Sequence, residues 1–161
     1  MNKSFSSVKD DVILKMIVRR VMRYLGLDLG SKTLGIAISD TSLTIATVFT
    51  TLRFSNEDYD SLLVPLKKIL FENQIEKIIL GYPLNMDGTV GPRATITLEF
   101  KKKLEDEFKI EVILEDERLT SVISNQILLE ADLSRKKRKK KVDGLAAQII
   151  LQSYLDREGG K

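Results

Sequence analysis

The spacing of apolar residues predicts an alternation of strands and helices along most of the chain. Short apolar runs, several of them rich in β-branched residues, predict five strands, at residues 23–29, 33–39, 45–54, 77–83 and 111–116. Apolar residues at helical spacing predict four helices, at residues 58–74, 91–108, 120–132 and 142–156. We therefore expect an α/β fold, with a mixed five-stranded sheet of three antiparallel hairpin strands followed by two parallel strands, and helices on both faces.

Local sequence features refine these limits. Pro65 lies about two turns into the helix predicted at residues 58–74 and favours a late start or a kink there. Thr120 is a plausible N-cap for the helix that follows it. Residues 1–21 have a Ser-rich beginning and one amphipathic stretch that does not connect to the later pattern, so we expect an N-terminal extension, disordered or a short helix. Residues 22–161 are then expected to form one domain.

The composition removes several classes of chemistry. The chain has no Cys and no His, which excludes disulfides, zinc sites, thiol nucleophiles and Ser-His-Asp triads. Any metal must be held by oxygen ligands, which suit Mg²⁺ or Mn²⁺. No apolar run approaches the roughly 18 residues that span a membrane, and Lys15 interrupts the apolar stretch near the start. We expect a cytoplasmic protein without a membrane partner.

The net charge of +3 hides an uneven distribution. Residues 135–141 (RKKRKKK) carry seven consecutive positive charges, and removing them leaves −4 for the rest of the chain. Residues 1–21 carry a further +3, which leaves −7 for the remainder. Basic segments on an acidic body favour a polyanionic partner, bound by counterion release, although a basic run is often only a solvated loop. With few aromatic residues and no Trp, backbone recognition is expected more than base recognition.

Three acidic positions are candidates for chemistry. Asp28 shares a strand face with Gly26, and period two places it inward. Asp143 begins the apolar stripe of the last predicted helix, and the pair Asp116-Glu117 ends the fifth strand. Buried carboxylates that converge raise one another's pKa, and a divalent cation removes that conflict. Two metal ions at such a site, bridged by Asp28, would activate water and stabilise the leaving oxygen of a phosphodiester, and no histidine is needed.

Plainer interpretations of these residues stay open. Asp143 could be a helix N-cap, because Asp is common at that position. Asp116 and Glu117 could lie in a surface turn with a salt bridge to Arg118. Asp28 is harder to explain without function, because strands rarely place an unpaired charge in the interior.

The segment GYPLNMDGT (81–89) follows a buried strand at the end of the sheet where α/β proteins place binding loops. Asp87 and Gly88 are expected to form a tight corner within it rather than a metal site. The turn after the first strand offers backbone N–H groups and a lysine to a phosphate. The candidate nucleic-acid contacts are Lys32, Asn85, Arg93, Arg118, Arg135, Lys136, Lys137, Arg138, Lys139, Lys140 and Lys141.

Four motifs then occur in order: LGLDLGSKTLGIAISD, GYPLNMDGT, EDERLTS and VDGLAAQIILQSYLD. Together, over residues 22–156, they resemble the YqgF/RuvX family of RNase H-like nucleases. The resemblance implies an RNase H-like fold and an acidic triad that binds Mg²⁺ or Mn²⁺, formed here by Asp28, Glu117 and Asp143. Asp116 could replace Glu117, because neither the sequence nor the motif decides which of the two points inward.

The resemblance implies a metal-dependent endonuclease, a hydrolase of phosphodiesters. The family is associated with processing of the 5′ end of pre-16S ribosomal RNA and with resolution of Holliday junctions, and the resemblance favours the RNA. A non-catalytic RNA-binding assembly factor remains an alternative, as does an actin-like ATPase, which the first motif suggests and the small size disfavours. The expected partner is a ribosomal RNA precursor or branched DNA, bound by a monomer or homodimer.

Overall fold

The computed structural model describes residues 22–118 and 135–159, and of residues 135–143 it describes the backbone. The predicted N-terminal extension and the predicted helix at 120–132, with its N-cap Thr120, lie outside the described residues. The strands are β1 (Arg23–Leu29), β2 (Thr33–Ser39), β3 (Ala46–Arg53), β4 (Ile75–Tyr82) and β5 (Glu111–Asp116). The described helices are α1 (Leu63–Glu72), α2 (Pro92–Phe108) and α3 (Arg135–Gly159), with a 3₁₀ turn at Tyr59–Leu62 before α1.

The five strands form one mixed sheet in the order β3-β2-β1-β4-β5. β1 pairs antiparallel with β2, and β2 pairs antiparallel with β3. β1 pairs parallel with β4, and β4 pairs parallel with β5. This arrangement confirms the predicted fold class, and the crossover from β4 through α2 to β5 provides the usual connection between parallel strands.

Alternation along β1 separates two cores, one on each face of the sheet. Leu25, Leu27 and Leu29 belong to a core that also contains residues of α1 and α2. On the opposite face, α3 packs so closely that a Cβ on Gly26 would lie 2.7 Å from the Cβ of Leu151. Asp28 has the same parity as Gly26 and therefore faces the α3 side, near the carboxyl end of β1.

The helix that precedes β4 begins later than the apolar spacing alone suggests. The α-helix starts at Leu63 rather than near residue 58, and the chain before it forms the 3₁₀ turn. Pro65 therefore lies in the first turn, where its missing N–H removes no hydrogen bond. Of the two alternatives that Pro65 predicted, the late start is confirmed, because the proline lies near the beginning of the helix and not in its middle.

The last helix is longer than predicted, because it begins at Arg135 and includes the whole basic run. Lys and Arg are good helix formers, and neither Pro nor Gly occurs between Arg135 and Gly144. The expectation of a helix starting at residue 142 was wrong for this reason. α3 has 25 residues, yet none of the helices in residues 22–118 and 135–159 is long and apolar enough to cross a membrane.

Candidate active site

The structure brings Asp28 and Glu117 together on the α3 side of the sheet. Glu117 follows β5 directly, and its backbone N–H donates to the carbonyl of Tyr82 at 3.1 Å, which extends the β4–β5 pairing by one residue. Glu115, two residues earlier, pairs with Arg157 of α3, so the period of two directs Glu117 toward the same face. The carboxyl groups of Glu117 and Asp28 share a hydrogen bond.

The environment of Glu117 disfavours its ionised form. Removal from water, followed by the hydrogen bond to Asp28 and the negative charge of Asp28, raises the pKa of Glu117 to about 9. The positive charge of Arg93 opposes this rise, while the charge of Asp116 adds to it. At neutral pH and without a cation, the two carboxyl groups therefore hold a proton between them.

Arg93 lies beside this acidic pair, in the first turn of α2. Its Nη2 donates to the backbone carbonyl of Leu29 at 2.9 Å, one residue after Asp28. Its Nη1 lies 3.4 Å from the hydroxyl of Tyr59. Sequence reasoning proposed Arg93 as a phosphate contact and missed Tyr59, whose position before α1 gives no sign that it approaches the end of β1.

Asp116 has different surroundings from its neighbour Glu117. Its Oδ2 accepts from Nε of Arg118 at 2.8 Å and lies 2.7 Å from Nη2, and its Oδ1 accepts from the backbone N–H of the same residue at 2.9 Å. These contacts hold the pKa of Asp116 below its usual value. Asp116 therefore forms the surface salt bridge to Arg118 that the plainer interpretation expected. Glu117 does not share these surroundings, because its carboxyl group contacts Asp28.

Asp143 lies within α3, and the structure describes its backbone but not its side chain. The next residue, Gly144, packs on the sheet, because a Cβ there would lie 2.9 Å from Cγ1 of Val48 on β3. Since α3 begins at Arg135, Asp143 is not at a helix start, and the N-cap interpretation was wrong. Among the residues with described side chains, no three acidic groups come together as a metal-binding cluster.

Three of the remaining predicted contact residues, Lys32, Asn85 and Arg118, follow β1, β4 and β5 at the same end of the sheet. Lys32 is exposed in the turn between β1 and β2.

Asn85 closes the loop after β4, because its N–H donates to the carbonyl of Thr89 at 3.0 Å and its Nδ2 donates to Oγ1 of Thr89 at 2.9 Å. Gly88 has a φ of 89°, as a tight corner requires. Arg118 reaches this loop: its Nη1 would lie 3.3 Å from a Cβ on Gly88. For residues 135–141 the structure gives a helical backbone.

Sequence reasoning also missed the role of Gly81, the penultimate residue of β4. A Cβ on this residue would lie 2.5 Å from Oε1 of Glu117 and 2.6 Å from Cδ1 of Ile150. A glycine inside an otherwise apolar strand is the sign that could have identified it, because such a glycine often marks a close approach by another group.

The donor set fits a hard divalent cation. Asp28 and Glu117 offer carboxylate oxygens, the ligand type that Mg²⁺ and Mn²⁺ prefer. A bound cation would favour the ionised form of both carboxyl groups, which their mutual contact and burial disfavour in its absence. Asp143, the third carboxylate that the sequence implies, is carried by the helix that packs over this face of the sheet.

Comparison with known sequences identifies close relatives. Residues 22–157 match the family model RuvX, described as Holliday junction resolvase. A protein of Geobacillus sp. (strain WCH70) named "Putative pre-16S rRNA nuclease" is 49% identical over 135 residues, which cover 84% of this chain and 98% of that protein. Proteins of the same name from Clostridium botulinum (strain Alaska E43 / Type E3) and Bacillus subtilis (strain 168) are 50% and 47% identical, with the same coverage of both chains.

Solved structures share the fold at much lower identity. RuvC of T. thermophilus in complex with a Holliday junction substrate superposes with a TM-score of 0.55 and 13% identity, covering 86% of this chain and 96% of RuvC. The fowlpox virus Holliday junction resolvase superposes with a TM-score of 0.50 and 18% identity, covering 84% and 99% of the two chains. These similarities confirm the predicted RNase H-like fold and, at such identities, nothing more specific.

Proposed function

This chain belongs to the RuvX family of nucleases, and on that premise we propose that it is a metal-dependent endonuclease that processes the 5′ end of pre-16S ribosomal RNA. The choice of RNA rests on the names of the relatives that are about half identical to this chain. The Holliday junction of the family description is the second candidate substrate, and branched DNA belongs in every test of this proposal.

The single observation that carries the proposal is the contact between Asp28 and Glu117. Two half-buried carboxyl groups in contact are costly to ionise together, because burial and mutual repulsion both disfavour the charged forms. Such pairs are typical of sites that bind a cation or exchange a proton with substrate. A non-catalytic RNA-binding factor would have no need to keep this arrangement.

In our proposal Asp28, Glu117 and Asp143 hold Mg²⁺ or Mn²⁺, and Asp116 does not, because Arg118 occupies both of its oxygens. When bound, the cation supplies positive charge that stabilises the charge developing on the phosphate and activates water. The carboxylates of Asp28 and Glu117 fix its position and lose their shared proton. Arg93, held by the carbonyl of Leu29, adds a fixed positive charge beside the phosphate that is cleaved.

Substrate binding in this proposal depends on charges around the carboxyl end of the sheet. Seven cations begin α3, and the helix continues into the core next to Gly26 and Gly81. A nucleic-acid backbone bound along that first part of α3 would lead toward the acidic pair. Lys32, Asn85 and Arg118 are proposed to contact further phosphates. We predict that the protein binds its substrate as a monomer or a homodimer.

The experiment that tests the proposal offers both substrates to the same enzyme. An end-labelled precursor of 16S ribosomal RNA and a four-way DNA junction are incubated separately with Mn²⁺, Mg²⁺ or EDTA. We expect cutting of the RNA that requires the metal and stops in EDTA. Cutting of the junction alone would make the resolvase the correct function. Binding of RNA without cutting in any metal would overturn the catalytic proposal and favour an assembly factor.

A further inference from the structure

Gly81 occupies the strand between the two acidic residues of the site. The sheet order places β4 between β1, which carries Asp28, and β5, which leads into Glu117. Gly26 pairs with Ile79 and Leu27 with Leu80, so the register continued by one residue places Asp28 beside Gly81. On the other side of β4, Gly81 pairs with Glu115, and the next pair brings Tyr82 to Asp116.

This arrangement sets a distance that one side chain must cross. Neighbouring strands lie about 4.8 Å apart, so β1 and β5 are separated by roughly 10 Å. The carboxyl group of Glu117 nevertheless shares a hydrogen bond with Asp28. Its side chain must therefore extend across β4, over the backbone of the residue that stands between them.

The geometry at Gly81 shows where that side chain runs. A Cβ on Gly81 would lie 2.5 Å from Oε1 and 2.7 Å from Cδ of Glu117, both too close for any real contact. The same Cβ would lie 2.6 Å from Cδ1 of Ile150 of α3. The glutamate carboxyl group thus fills the space above Gly81 and lies beneath the helix that covers this face of the sheet.

We propose that Gly81 is a positioning residue for the nuclease site, and that Gly81 and Glu117 work as a pair: the missing side chain at 81 opens the path along which the long side chain at 117 reaches Asp28. This inference deepens the proposed function, since the carboxyl group it positions is the one proposed to bind the metal. It also gives a physical reason for glutamate at 117, because aspartate is one methylene shorter and must cross the same strand.

The test separates the carboxylate from the packing of α3. Gly81→Ala alone crowds both Glu117 and Ile150, so it is compared with Ile150→Val, which lacks Cδ1, and with the double variant Gly81→Ala/Ile150→Val. In the double variant the clash with Ile150 is relieved and the clash with Glu117 remains. Crystal structures without metal, thermal unfolding and the dissociation constant for Mn²⁺ are measured for all three and for the wild-type protein.

We expect the Ile150→Val protein to bind Mn²⁺ as the wild type does. The double variant should fold, lose the hydrogen bond between Glu117 and Asp28, and bind Mn²⁺ about 10- to 100-fold more weakly, as happens when a group that orients a ligand is removed. A metal-free structure in which Glu117 still contacts Asp28, or an unchanged Mn²⁺ affinity, would overturn the inference. If the wild type binds no Mn²⁺, the proposed function fails, and the metal-free structures alone still decide the role of Gly81.

Non-additivity provides a second criterion. Glu117→Asp should weaken Mn²⁺ binding to a similar extent, because its carboxylate cannot cross β4. Combined with Gly81→Ala and Ile150→Val, it should add little further loss, since the same contact is already broken. Losses that multiply would mean that residues 81 and 117 act independently, which contradicts the inference.

Discussion

The carboxyl group of Glu117 shares a hydrogen bond with that of Asp28, although β4 lies between the strand that carries Asp28 and the strand that leads into Glu117. The contact joins the first strand of the domain to the end of the fifth. Because the pair is half-buried, ionising both carboxyl groups is unfavourable unless a positive charge binds beside them.

The first prediction concerns stability without metal. The pKa of Glu117 is about 9 in the folded protein and about 4.5 in an unfolded chain. Between these pH values folding takes up a proton, so the contribution of Glu117 to the free energy of unfolding decreases as the pH rises. Glu117→Gln does not titrate and should be more stable than the wild type at about pH 8, by up to about 5 kcal/mol.

Urea unfolding in EDTA across this pH range checks the prediction. The comparison is the difference between wild type and Glu117→Gln at each pH, because groups that do not interact with residue 117 titrate equally in both proteins and cancel. The difference should grow with pH. A difference that stays constant from acid to alkaline pH would show that Glu117 is not protonated in the folded protein.

The second prediction concerns metal binding. A cation at Asp28 and Glu117 must displace their shared proton, so binding of Mn²⁺ at neutral pH should release about one proton. The affinity should rise by about tenfold per pH unit up to about pH 9, where the proton is lost without metal. Calorimetry in two buffers with different ionisation enthalpies measures the release. An enthalpy that does not depend on the buffer would refute it.

The third prediction concerns how α3 is fixed to the sheet. Arg157 donates from Nη1 and Nη2 to the two oxygens of Glu115 at 2.6 and 2.8 Å. The Glu115 side chain is only 8% exposed, whereas the Arg157 side chain is 51% exposed. Solvent around Arg157 screens the charges and reduces the contribution of this ion pair to stability. Arg157→Ala should lower the free energy of unfolding by about 1 to 3 kcal/mol, because it leaves a buried carboxylate without this partner.

The matched control is the ion pair of Lys103 and Asp60, whose side chains are 43% and 72% exposed. Lys103→Ala should change the stability by less than about 0.5 kcal/mol. Both variants are compared by urea unfolding at neutral pH. Equal effects of the two substitutions would mean that burial of Glu115 does not determine the strength of its pair.

The fourth prediction concerns the basic run. Replacing Lys139, Lys140 and Lys141 with Gln removes three charges from the start of α3. If all three contact phosphates, the slope of log affinity against log salt for single-stranded RNA should decrease by about 2, with a weaker affinity at low salt. Filter binding over a salt series measures both quantities. The control is the same triple substitution at Lys101, Lys102 and Lys103 of α2, which should leave the slope unchanged.

Sequence reasoning located the strands well because their apolar runs end at turns and loops. It could not choose between Asp116 and Glu117, since Val112, Ile113 and Leu114 are all apolar and hide the period of two in β5. The structure resolves the period through long-range contacts: Val112 packs in the core on the α1 and α2 side, while Glu115 pairs with α3.

Other features depend on contacts that no local pattern contains. Arg93 meets the carbonyl of Leu29, and Glu117 passes over Gly81, only because the strand order places β1 beside β4. The start of α3 was predicted too late because a run of like charges resembles a loop, although its residues are good helix formers.

The most direct test of the acidic pair compares Asp28→Asn, Glu117→Gln and Asp116→Asn in one assay of metal-dependent cleavage, with RNA binding measured in parallel. The first two substitutions should lower the cleavage rate by about 1,000-fold or more while RNA binding persists, because they remove charge where the metal is held. Asp116→Asn should keep the rate within about tenfold of the wild type. Cleavage by Asp28→Asn at the wild-type rate would contradict the assignment of this pair as the catalytic site.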